Sequence, residues 1–168
     1  QTSSKFINYI EGIEKTYKKT LIIDLRGNGG GLISAATEML DVLLPDCSPC
    51  YLVDRDGKTS NIESDYYRVP FKSIKILVDN DSASASELLA LGLKKFLGNV
   101  QILGKTTYGK GVGQQIYVDN NGEFVLYLVS FYWNILEENI NDVGITPDII
   151  VEGTELEDFL KIIKDEQN

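Results

Sequence analysis

The sequence predicts a single α/β layered domain, and three observations carry that reading. Short continuous apolar runs at residues 21–25, 74–79 and 101–103 suit buried strands, and stretches with apolar residues at helical spacing follow the first two. Glycine- or serine-rich loops sit where each of those strands gives way to its helix, so the loops that could carry chemistry fall at strand ends. With 168 residues, 43% of them apolar and 24% charged, the chain can bury about two-thirds of its unfolded surface around one core.

The elements follow in order. Phe6, Ile7, Ile10, Ile13 and Tyr17 recur at helical spacing behind Ser3 and Ser4 as N-caps, which predicts an amphipathic helix over about residues 4–18. The run Leu21-Ile22-Ile23-Asp24-Leu25 reads as a strand that ends in the loop Arg26-Gly27-Asn28-Gly29-Gly30-Gly31, and residues 32–44 read as a second helix. Tyr51-Leu52-Val53 with the Asp56-Gly57 turn suggests a hairpin, followed by a polar stretch over 59–68 that reads as partly loop. Residues 74–79 form the next strand and 87–97 the next helix, with Leu88, Leu91 and Leu93 available to the core. A third strand at 101–103 precedes a long loop over 104–113. Residues 115–118 and 124–132 then read as a hairpin closed by a type I′ turn at Asn121-Gly122. Thr154 to Glu157 has capping-box spacing, and Leu156, Phe159, Leu160 and Ile163 mark one apolar face of a last helix.

Charge and composition exclude several functions. A formal charge of −9 and the lack of a basic stripe argue against a nucleic-acid partner. The two cysteines, Cys47 and Cys50, form a lone CxxC without the further ligands that a zinc site needs, so no metal is expected; they read as small residues in a loop. No apolar run reaches the roughly 18 residues that a bilayer span requires. The opening Gln1-Thr2-Ser3-Ser4 reads as the middle of a longer protein.

The feature with chemical content is Ser82-Ala83-Ser84-Ala85-Ser86-Glu87, followed downstream by Gly109-Lys110-Gly111, in a chain with no histidine. A hydroxyl nucleophile needs a neighbouring base, and here lysine has to supply it. An amine serves as a base only when neutral, which calls for a dry setting away from carboxylates. Ser84 stands three residues before Glu87, so it can simply cap the following helix; a serine on a sharp turn between a buried strand and a helix is also how nucleophiles are held near backbone donors. The glycine loop at 27–31 presents backbone N–H groups at a helix start and suits an anion, either a phosphate or the oxyanion of a tetrahedral intermediate.

Four segments carry a family resemblance. DLRGNGGG (24–31), NDSASASELLA (80–90), GKTTYGKGVGQ (104–114) and GITPDI (144–149) resemble, in order, the signatures of the C-terminal processing peptidases, the tail-specific serine proteases of peptidase family S41. The resemblance implies a core similar to the ClpP/crotonase fold and a serine endopeptidase with a Ser/Lys dyad. Ser84 would be the nucleophile, Lys110 the base and Gln114 the residue that positions the lysine. The N–H groups of Gly30 and Ala85 would form the oxyanion hole, with Ser82 and Ser86 left to packing or capping. No cofactor is implied. The substrate would be a polypeptide bound as an added strand, cut near its C-terminus.

The resemblance further implies a parent with a PDZ domain and leading strands upstream, placed at a bacterial envelope or secreted, for which a homo-oligomer is compatible. The sequence departs from the family pattern at Lys105, at Val112-Gly113 and across residues 134–142, where a PxGR-like segment is usual. Two alternatives stand beside the enzyme. One is a non-catalytic peptide-binding module on the same fold. The other is a crotonase-like acyl-CoA enzyme, which would want a carboxylate base and have no use for the serine run.

Overall fold

The computed structural model describes residues 2–65 and 67–166. Tyr66, inside the expected polar loop, and the end of the expected C-terminal helix at 167–168 lie outside the described residues. Among these residues the fold is mixed α/β, with a parallel sheet and an antiparallel sheet of four strands each. The parallel sheet has the order β1–β4–β5–β8, built from β1 (Thr20–Asp24), β4 (Ser73–Val78), β5 (Val100–Gly104) and β8 (Ile149–Ile150). In register, Ile23 faces Ile76, which in turn faces Ile102. The antiparallel sheet has the order β3–β2–β7–β6, from β2 (Cys47–Asp54), β3 (Thr59–Ser64), β6 (Val112–Val118) and β7 (Val125–Asn134).

Period-two alternation sorts the parallel strands between two cores. Ile74, Ile76, Val78, Val100 and Ile102 point to the larger one, shared with α1 (Thr2–Glu11), α2 (Ile33–Asp41) and α3 (Ala85–Phe96). Cys50 and the fully buried Trp133 bring the antiparallel sheet onto this same core. Leu77 and Leu103 point the other way and meet Val151, Phe159 and Ile163, so α4 (Leu156–Asp165) covers the opposite face. Burying each such side chain contributes about 1.5–3 kcal/mol, so both faces of β4 help to fix the strand whose end carries the serine loop.

Several expectations are corrected. The helix expected over 4–18 stops at Glu11, because Gly12 follows it and Lys15 adopts φ 55°; only a 3₁₀ turn at Thr16–Lys18 resumes, and Tyr17 is exposed. Ser3 and Ser4 lie inside α1 rather than capping it. The 121–122 turn is not type I′, since only Gly122 has a positive φ. The Asp119 carboxylate instead closes a longer loop by accepting the N–H groups of Asn121 and Phe124. The last capping box is Glu155 with Asp158, one residue later than expected. Cys47 and Cys50 stand on β2, both as free thiols, and burial pushes the Cys50 thiol up to about 12, which leaves it unreactive.

Asp148 ties the GITPD segment to the sheet by accepting the Ile102 N–H and the Lys94 ammonium, each at 2.8 Å. Burial raises its carboxyl, but the Ile102 and Lys94 bonds outweigh it and hold the group below the usual 3.8. A depressed folded-state value adds stability above the unfolded value and loses it as pH falls through the folded one. Asp148→Asn should therefore cost about 1 kcal/mol at pH 7 in urea denaturation, low in the usual range because the carboxylate is part exposed. The gap to the wild type should close below about pH 4.

Candidate functional site

The site forms where β1, β4 and β5 end. From Val78 the chain turns through Asp79-Asn80-Asp81, and the Asp79 carboxylate accepts the N–H groups of Gly27, Asp81 and Ser82. Ser82 Oγ donates to the Leu25 carbonyl at 2.8 Å, and the Ala83 N–H donates to the Asn28 carbonyl. These bonds join the serine loop to the glycine loop. Gly30 lies against the serine backbone at φ +94°. A Cβ there would come within 2.6 Å of the Ala83 carbonyl oxygen and 2.9 Å of both the Ala85 nitrogen and Ser84 Cβ, so only glycine fits.

Ser84 itself has φ 57° and ψ −118°, a conformation that costs a non-glycine residue about 1–3 kcal/mol. It is the N-cap of α3, opposite Glu87 in a capping-box arrangement, so the capping role expected from the sequence and the sharp turn coincide in one residue. Ala85 is the first residue of α3, where a backbone N–H has no acceptor within the helix.

Glu87 does more than cap. Its side chain is fully buried and accepts the Ser84 N–H at 2.7 Å, the Gly109 N–H at 2.8 Å, the Lys110 N–H at 2.9 Å and the Thr107 hydroxyl at 2.5 Å. The Ser84 and Lys110 bonds end on the same oxygen, Oε2, so those two backbone nitrogens are separated by no more than two hydrogen bonds laid end to end. Thr107 Oγ1 in turn accepts the Ile145 N–H at 2.8 Å, which brings the GITPD segment into the same network. Sequence reasoning saw Glu87 only as a capping partner. The available signal was a lone acidic residue followed by the apolar run Leu88-Leu89-Ala90-Leu91.

Lys110 is half-buried and Gln114 exposed. Both line a cavity of about 690 Å³ together with Gly29, Asp81, Ala83 and Asp142. No hydrogen bond joins the two. On the other side of Ser84 lies a cavity of about 550 Å³ lined by Gly30, Ala85 and Ser86 and by Phe6, Leu32, Met39 and other apolar groups. Ala83 borders the first space and Ala85 the second, so Ser84 stands between the space that Lys110 lines and the apolar one. The structure thus brings Ser84, Ala85, Gly30 and the Lys110 turn together. The Gly30 N–H points to Asn28 Oδ1, at 3.0 Å. No cluster of metal-binding side chains occurs among the described residues.

Comparison with known proteins gives a consistent picture. The family model described as Peptidase family S41 matches residues 1–151. Over 149 residues the chain is 34% identical to carboxyl-terminal-processing peptidase 3, chloroplastic, of Arabidopsis thaliana, covering 88% of the chain and 28% of that relative. Over 162 residues it is 30% identical to carboxy-terminal processing protease CtpA of Bacillus subtilis, covering 96% of the chain and 34% of the relative. The chain therefore spans about a third of the length of such relatives. Among solved structures, the photosystem II D1 C-terminal processing protease superimposes with a TM-score of 0.72 at 26% identity, over 96% of this chain and 42% of that one.

The network around Glu87 and the strain at Ser84 predict opposite stability effects. Glu87→Ala leaves four donors without their buried acceptor and should cost at least about 3 kcal/mol. Ser84→Gly relieves the backbone, and after the entropic cost of glycine should raise stability by about 1 kcal/mol. Chemical denaturation of the two variants checks both; a destabilised Ser84→Gly would contradict the strain.

Proposed function

The chain belongs to peptidase family S41, and from that premise we propose that it forms the catalytic core of a serine endopeptidase of the C-terminal processing type, working through Ser84 and Lys110. The observation that carries this reading is the single carboxylate oxygen of Glu87 that holds the backbones of both residues, with Ser84 in a strained turn at a helix start. Such a turn holds a hydroxyl beside backbone donors, the arrangement that acyl transfer requires.

In this reading, Ser84 Oγ attacks the scissile carbonyl while its proton passes to the Lys110 amine. The oxyanion accepts the N–H of Ala85, free of helix partners, and that of Gly30, which exchanges Asn28 Oδ1 for the new ligand. The tetrahedral species collapses as Lys110 returns the proton to the departing amine. Water, deprotonated by the same lysine, then releases the acyl group from Ser84. Gln114, across the cavity from the Gly109 turn, would steady the lysine when substrate is present. The substrate is a polypeptide bound as an added strand, and the apolar cavity beside Gly30 and Ala85 takes the side chain on the acyl side of the cut.

The test is labelling of the full-length protein with a serine-reactive fluorophosphonate. The adduct should map to Ser84, disappear in Ser84→Ala, and fall by at least about 100-fold in Lys110→Met, the range of a lost general base. Lys110→Met should leave the denaturation midpoint near the wild-type value, because Glu87 holds the backbone of this residue and not its side chain. A folded protein that never labels would overturn the enzyme and leave a peptide-binding module. Ala35→Leu, which narrows the apolar cavity, should lower kcat/KM about tenfold for a leucine on the acyl side and far less for alanine.

A further inference from the structure

The hairpin of β6 and β7 is unlike the rest of the surface. The chain carries a net charge of −9, yet neither strand contains a charged residue or a proline, and the acidic Asp119 and Glu123 are confined to the loop between them. β6 is an edge strand, and β7 pairs with β2 only through residues 131–134, so most of the hairpin projects beyond the sheet as a two-stranded ribbon. Soluble proteins ordinarily blunt such an edge with lysine, proline or a covering segment, and β6 has none of these among the described residues.

The pairing register sorts the ribbon into two faces. Ile116 opposite Tyr127, Val118 opposite Val125, and Gln114 opposite Val129 share one face, and past the bulge at Gly113/Gln114 the pair Val112 and Tyr132 continues it. On that face Ile116, Val118 and Tyr127 are about 60% exposed and Val125, Val129 and Tyr132 between 41% and 50%. At its inner end, Val112, Gln114 and Val129 are walls of the cavity that holds Lys110, and β6 begins two residues after that lysine. The apolar face is therefore an outward continuation of the candidate site.

We propose that the free edge and apolar face of β6 dock an extended, apolar stretch of the polypeptide substrate, with every second side chain on the Ile116/Tyr127 face. This rests on the peptidase reading above and adds to it where the strand is received and which sequence it prefers. The alternation follows from strand geometry: a peptide paired to the edge turns alternate side chains to one face. Area favours a peptide over a second copy of the chain. Six half-exposed side chains offer roughly 600 Å² on this face, which suits a segment of about six residues, whereas a stable dimer buries about 800 Å² from each partner.

The experiment compares two peptides that share a scissile segment, one continued by alternating Val and Tyr and the other by alternating Ser and Asp at the same positions. Each kcat/KM is divided by the rate of fluorophosphonate labelling of the same full-length preparation. The apolar peptide should be cut at least about tenfold faster. That preference should disappear in Ile116→Asp and in Tyr127→Asp and persist in Tyr117→Asp, which alters the opposite face. In the wild type, N-methylation of alternate peptide bonds should slow cleavage about tenfold with every side chain kept, a result that needs no variant to fold. Equal cleavage of the two peptides, or indifference to N-methylation, would overturn the proposal. So would a dimer that Ile116→Asp dissociates without changing the peptide preference. If Ser84 never labels but fluorescence anisotropy shows the apolar peptide binding the wild type and not Ile116→Asp, the enzyme reading fails and the docking edge stands.

Discussion

The rest of the site depends on one buried carboxylate. Glu87 lies on α3 among Leu88, Leu89 and Leu91 and is fully removed from solvent. A carboxylate can be kept there only if donors replace its hydration, and four do so, from Ser84, Thr107, Gly109 and Lys110. Three of them come from the loop after β5, about twenty positions downstream. The desolvation that would otherwise expel the charge thus obliges a distant loop to close over the helix start. That closure is what brings the lysine turn to the serine.

The same logic places strain where it can be borne. Ser84 adopts φ 57° because the turn must leave β4, hand Ser82 Oγ to the Leu25 carbonyl, and enter α3 at once. Its N–H is anchored by Glu87, and the preceding Ala83 N–H by the Asn28 carbonyl. With both sides pinned, the strained residue has no freedom to relax. The two sheet faces supply the rigidity behind it, since β4 is packed by helices on one side through Ile76 and by α4 on the other through Leu77.

How much of this was legible in the sequence follows from the range of each interaction. Strands 1, 4 and 5 and helix α3 are visible because apolar runs and period are local properties, and the glycine and serine loops mark their ends. The failures are local contests won by specific groups. Gly12 and a left-handed Lys15 end α1 early, and the Asp119 side chain supplies acceptors that a two-residue turn would have left out. Ser84, Gly30, Ala85 and Lys110 were nameable through motifs, whereas the reach of Glu87 was not. Nothing in the spacing of Ser84 and Glu87 says that the same carboxylate also receives Gly109 and Lys110.

The position of Gly30 connects these constraints to the chemistry. Two donors from different loops can converge on one oxygen only if their backbones approach more closely than a side chain permits. At Gly30 a Cβ would meet the Ala85 nitrogen and Ser84 Cβ at 2.9 Å, so the absence of that carbon is what sets the glycine loop beside Ser84. Asn28 serves both sides of the contact, since its carbonyl holds the Ala83 N–H and its side chain holds the Gly30 N–H. A donor already satisfied by a neighbouring amide remains oriented and is not left as an unpaired group, and replacing that amide by an anion trades a neutral hydrogen bond for a charge-assisted one, about twice as strong. The Gly30 N–H is therefore held in a fixed direction by a neutral partner, one that an anion at the same point would displace.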